Sequence, residues 1–172
     1  MDKIKTIVTE IYNDLKNMVG GLGVADYIPE LACVDPNLFG ISVCHVNGEI
    51  FNIGDCDKFF GLQSCSKPLS YCIAYDELGK DELHSRVGYE PSGQAFNAFI
   101  LNKNGLPHNP MINAGAIMVA SQIGKNKEPV NRFNILKSFY SRLAGNNKVG
   151  FDNSVFLSEQ HHADRNISLA YY

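Results

Sequence analysis

No apolar run in the 172 residues approaches the roughly 18 needed to cross a bilayer, so a helical membrane span is not expected. An excess of charge of one sign is missing too. Fifteen Lys and Arg stand against 18 Asp and Glu, a net charge of −3, which gives neither nucleic acid nor an anionic membrane a reason to bind. The five cysteines (Cys33, Cys44, Cys56, Cys65, Cys72) are odd in number and none forms a C-x-x-C pair. A disulfide framework is therefore not expected, and a reducing compartment, by default the cytoplasm, is. The opening stretch MDKIKTIVTEIYNDLKN mixes charge into its apolar residues and lacks the form of a signal peptide. No internal repeat, linker or low-complexity tract interrupts the chain, so one domain over residues 1–172 is the simplest organisation. What is there is ordinary: 45% apolar and 19% charged residues, the balance of a folded globular protein with a sizeable core.

Ile4, Ile7, Val8, Ile11, Leu15 and Met18 recur at helical spacing, which predicts an amphipathic helix over 2–18, ended by GGLG at 20–23. ADYIPELACVDPNLFG, with two prolines, is expected to be irregular or only briefly helical. ISVCHV and EIFNIG flank Asn47-Gly48, the strongest short-range hairpin signal, so strands are expected at 40–46 and 49–54 around a type I′ turn. SCSKPLSYCIAYDELG then turns helical, with Leu69, Cys72, Ile73 and Leu78 on one side and a stop at Gly79. Loops follow at EPSG and NGLPHNP. MINAGAIMVASQIG reads as a small-residue helix suited to close packing, and NRFNILKSFYSRLAG as a helix on Phe133, Leu136, Phe139 or Tyr140, and Leu143, closing at Gly145. DRNISLAYY opens on a capping residue, Asp164, and reaches Tyr172 with no glycine, basic last turn or polar tail, which reads as a fold not yet finished.

One short stretch carries chemistry. In QSCSKP, Ser64 and Lys67 lie three apart and Pro68 follows. Proline belongs in a helix's first turn, so the helix starts no earlier than about Ser64, placing the serine at the positive end of the dipole. Lys67 is one turn on, on the same face. A serine hydroxyl is a poor nucleophile without an adjacent base. A lysine is that base only if burial or neighbouring charge lowers its pKa. Ser-x-x-Lys at a helix start is the arrangement of serine β-lactamases and penicillin-binding proteins. With twelve serines and eleven lysines, such a spacing arises about once by chance, and a capping serine beside a solvated lysine is the alternative from these residues alone.

The surrounding blocks resemble the serine-dependent glutaminases, especially the kidney-type branch and its bacterial relatives. They are ADYIPELA (25–32), GDCDKFFGLQSCSKPLSYCIAYDELG (54–79), VGYEPSGQAFN (87–97), PHNPMINAGAI (107–117) and SEQHHADRN (158–166). The resemblance implies an α+β, β-lactamase/transpeptidase-like fold of helices and antiparallel sheet, truncated here before its last strands. It implies hydrolysis of L-glutamine to L-glutamate and ammonia through a glutamyl ester on Ser64, with Lys67 as general base. Tyr27 and Gln63 match residues that contact the substrate, and Asn113, Glu159 and Asn166 match positions that hold its amino-acid portion. The chemistry agrees, because a carboxylate pairs with an α-ammonium and side-chain amides donate to an α-carboxylate. Taken singly, Tyr27 and Asn113 also suit a core or turn, Asn166 an early helix, and Glu159 a solvated face.

The family's domain is considerably longer, so the resemblance places a proton-shuttling tyrosine and part of the oxyanion hole beyond Tyr172 and implies weak or absent activity here. The hairpin would lack sheet partners. Such an open edge pairs with other chains, and a homo-oligomer is expected. His161, His162 and Asp164 do not close a metal site on one helical face, and His45 and His108 carry no motif, so neither metal nor cofactor is expected. Two other functions compete. A penicillin-recognising acyl-transferase would carry a signal peptide and Ser-x-Asn and Lys-Thr-Gly elements, which are missing. An inactive paralogue acting by protein binding would fit the chain's end, although the intact Ser64–Lys67 pair argues against it.

Overall fold

The apolar spacing at the N-terminus forms α1, Asp2–Leu15, in the computed structural model, which describes residues 1–21, 23–145 and 149–172. The helix ends three residues earlier than its apolar pattern, and a short 3-10 turn follows at Val19–Gly21; Leu22 of the GGLG stretch lies outside the described residues. The chain divides into two units, 1–61 and 62–172, each described by itself.

In the first unit, α2 (Pro29–Ala32) is the brief helix expected after the first proline, and β1 (Gly40–Cys44) pairs antiparallel with β2 (Ile50–Gly54). Ile41 faces Ile53 and Val43 faces Phe51, so the half-buried residues share one face of the ribbon. The connection is not the predicted type I′ turn. Gly48 has φ +88°, but Asn47 is outside the left-handed region, and the Gly48 N–H donates to the His45 carbonyl (2.8 Å). This is a three-residue loop closed by a left-handed glycine. The Asn47 side chain explains the choice: its Oδ1 accepts from the Glu49 N–H at 3.0 Å, a local bond that holds Asn47 in an Asx turn. Against the ribbon lies α1, through a Lys5–Glu49 ion pair at 2.9 Å and the stack of Tyr12 on Phe39.

In the second unit a 3-10 turn, Gln63–Cys65, leads into α3, Ser66–His84. Gly79 interrupts α3 with φ +76°, where the sequence predicts a stop, and the helix resumes to His84. Ile73 and Ala74 are buried on its inner face, but Cys72, expected beside them, is exposed. Helix α4, Asn113–Gln122, packs on α3 through Val119 and on to Ile123, and α5, Pro129–Leu143, covers this core with Ile135, Leu136 and Phe139. The α5 stripe is rotated from the expected one, leaving Phe133 and Leu143 exposed. Then follow α6, Asn153–His161, and α7, Asp164–Tyr171, whose Leu169 joins Ile112 and Ala114 in a second cluster. Asp164 is the first helical residue of α7 and makes no cap bond, whereas Asp152 caps α6 through the Ser154 and Val155 N–H groups. Seven helices and one two-stranded antiparallel sheet make the described residues α+β. None of these helices is long and apolar enough to cross a membrane.

Candidate functional site

Ser64 sits in the 3-10 turn before α3, exposed, and Lys67 in the first turn of α3, half-buried. Pro68 is accommodated in that turn, as a proline near a helix start must be. The Cys65 N–H donates to the Leu62 carbonyl at 3.0 Å and the Ser66 N–H is taken up within the turn by Gln63 and Ser64. Those two amides are therefore engaged within the turn.

Lys67 Nζ does not hydrogen-bond to the Ser64 hydroxyl. It donates to the Met111 carbonyl at 3.1 Å and to Asn113 Oδ1 at 2.8 Å. Burial pushes its pKa below the usual lysine value, because desolvation disfavours the ammonium. Asn113 heads α4, and its Nδ2 donates to Asn166 Oδ1 of α7 at 3.0 Å. Three predicted residues on three helices, Lys67, Asn113 and Asn166, thus form one hydrogen-bonded chain. Glu159 lies half-buried on α6, Gln63 directly before Ser64, and Tyr27 half-exposed just ahead of α2 in the first unit.

The sequence reading missed what arranges this chain. Asn109 Oδ1 accepts from the Met111 and Ile112 N–H groups, at 2.9 and 3.2 Å, while its Nδ2 donates to the Glu90 carbonyl. That Asx turn sets the entry of α4 and so the position of Asn113. The Asn113 N–H donates to the Phe96 carbonyl at 2.8 Å, and the Phe96 ring centroid is 5.7 Å from Lys67 Nζ, within cation–π reach. The only signal for these residues was their place in the blocks 87–97 and 107–117. Two open concavities, of about 660 and 240 Å³, run along α5 and the loop before it, and none of the predicted site residues lines them. Among the described residues no group of three or more His, Cys, Asp or Glu side chains converges as metal ligands would.

The glutaminase family profile matches residues 23–172. The rat liver mitochondrial isoform of glutaminase is 44% identical over 165 residues, which cover 96% of this chain and 27% of that protein. A glutaminase of Aliivibrio salmonicida is 44% identical over 174 residues, covering 99% of this chain and 56% of its own. Among solved structures, a probable glutaminase, ybaS, superposes with a TM-score of 0.86 at 29% identity, over 99% of this chain and 56% of that one. The native form of Mglu superposes at 0.82 with 34% identity, over 92% and 39%. The chain therefore spans between 27% and 56% of the length of these relatives. The glutaminase structures have the β-lactamase-like fold, so the fold expected from the sequence is the one observed over the part they share.

Proposed function

Because the chain belongs to the glutaminase family, we propose that it carries the nucleophile and base of an enzyme that hydrolyses L-glutamine to L-glutamate and ammonia. Ser64 Oγ attacks the side-chain amide carbon while Lys67 takes the hydroxyl proton. The C–N bond then breaks, ammonia leaves with that proton, and a glutamyl ester is left on Ser64. Water attacks the ester, its proton passes by the same amine to the departing serine oxygen, and glutamate is released. Asn113, Asn166 and Glu159 hold the amino-acid portion, with Gln63 as a further substrate contact.

The observation that carries this reading is the placement of Lys67. It lies one turn from Ser64, and its Nζ is fixed by donating to the Met111 carbonyl and to Asn113 Oδ1. Burial lowers its pKa, the direction a general base needs. The Lys67–Asn113–Asn166 chain supports the binding half, since it ties the base to two residues assigned to the substrate. A reducing compartment and a homo-oligomer belong to the same proposal, the first supported by five free thiols.

The test is glutamate release by the protein as its gene encodes it, against Ser64→Ala. Loss of a covalent nucleophile is expected to lower turnover by roughly 10³-fold or more. Residual turnover within about tenfold of the parent overturns the assignment.

A further inference from the structure

Gln63 has φ +46° and is the one non-glycine residue with a positive φ among the described residues. A side chain there is strained, and such a conformation persists only where the surroundings hold it. The strain sits directly before Ser64, in a turn only three residues long. Part of the hold is visible: the Ser66 hydroxyl donates to the Gln63 carbonyl at 2.7 Å, beside the Ser66 N–H that bonds the same carbonyl. Ser66 is steadied in turn. Its own carbonyl lies 3.5 Å from the Tyr140 hydroxyl, which reaches across from α5 and is 2.9 Å from Ser70 Oγ, one turn further along α3. Three hydroxyls thus tie the carbonyl of the strained residue to α3, and α3 to α5.

We propose that Ser66 is a positioning residue: its hydroxyl keeps Gln63 left-handed and so sets the direction in which Ser64 leaves the turn relative to Lys67, with Tyr140 and Ser70 bracing the same segment. The inference rests on the acyl-enzyme reading of Ser64. Without the Ser66 hydroxyl, the Gln63 carbonyl loses one of the two bonds it accepts from Ser66, and Gln63 relaxes more readily to a negative φ. That rotation turns the Gln63–Ser64 peptide and carries Ser64 with it.

Thr and Val have nearly the same shape and differ by the hydroxyl, so Ser66→Thr and Ser66→Val isolate the bond. Ser66→Val is expected to lower kcat for glutamate release about tenfold, the value of one aimed hydrogen bond, with little change in KM. Ser66→Thr is expected to restore it, and Tyr140→Phe to give a smaller loss. In ¹H–¹⁵N spectra the Gln63 and Ser64 amides should move in the Val variant and stay in place in the Thr variant. The proposal falls if Val matches the parent in kinetics and amide positions, or if Thr behaves like Val. It falls equally if the Val variant loses activity only in proportion to unfolded protein. Ser64→Ala, run alongside, separates the two claims. If it releases glutamate as the parent does, the acyl-enzyme reading fails, while the amide shifts still decide the brace.

Discussion

Lys67 is half-buried, and its amine donates to the Met111 carbonyl and to Asn113 Oδ1. Burial lowers its pKa in the folded chain, so the folded state binds fewer protons than the unfolded one between the lowered value and the usual lysine value. Stability therefore rises with pH through that window, and the contribution is lost as pH falls through the folded pKa. Turnover should also rise with pH as the amine loses its proton. Lys67→Arg keeps the charge but cannot accept a proton; it should abolish turnover and the rising limb of kcat/KM against pH. Near-normal rates in that variant would assign the base elsewhere. Glu159→Gln should raise KM for glutamine more than it lowers kcat, because it removes the proposed partner of the α-ammonium; an unchanged KM contradicts the role. Gln122 makes a different case. It is 6% exposed, and its Oε1 has no partner although its Nε2 donates to Ser121 Oγ. A buried unpaired oxygen costs about 1–3 kcal/mol. Gln122→Leu is expected to stabilise the chain by roughly 1 kcal/mol, about 2–4 °C in melting temperature for a chain of this size. A lower melting temperature would show that the amide has a partner in solution.

Helix α4 owes its position to small residues. A Cβ on Gly115 would overlap the Asn109 carbonyl, the same residue whose side chain orders the turn before the helix. Only glycine lets the two backbones approach this closely. Gly115→Ala should force α4 away from that loop and cost about 1–3 kcal/mol, the usual range for overpacking. Asn113 heads the same helix, so the variant should also weaken glutamine binding. Urea unfolding and KM measured together check both; an unperturbed midpoint would mean that the loop yields freely. Gly48 lies at the other extreme, left-handed but with open space around it. There glycine is required by the turn conformation and not by close packing.

Across the molecule, burial is sparse for 172 residues. Ten apolar residues are buried among those described, and neither α1 nor α5 has a fully buried residue. Phe59 and Phe60 are each 79% exposed, and β1 and β2 form a two-stranded sheet. Exposed apolar area and unpaired strand edges favour association with another surface. At tens of micromolar, the 172-residue chain is expected to show a light-scattering mass above its 19.0 kDa, rising with concentration. A constant monomer mass would show that these side chains are tolerated in water.

Several elements follow from local order alone. Asn47-Gly48 between two β-rich runs marks the hairpin, Pro68 places the start of α3, and the small residues of 113–122 mark a close-packed helix. Each is a short-range effect, set by steric limits on neighbouring residues or by periodicity along one element. The Ser-x-x-Lys spacing is legible for the same reason, since residues three apart share a helix face. Even at short range, competing side-chain bonds changed details, as when Asn47 bonded to Glu49 and the turn type altered. The partners of Lys67 were not legible. Met111 and Asn113 lie 44 and 46 residues away, and Asn166 another 53 beyond Asn113. Nothing in the periodicity of one segment records which groove of a neighbouring helix will receive it. Those bonds exist because α3, α4 and α7 bury Ile73, Val119 and Leu169 in particular ways. The same packing desolvates Lys67 and lowers its pKa.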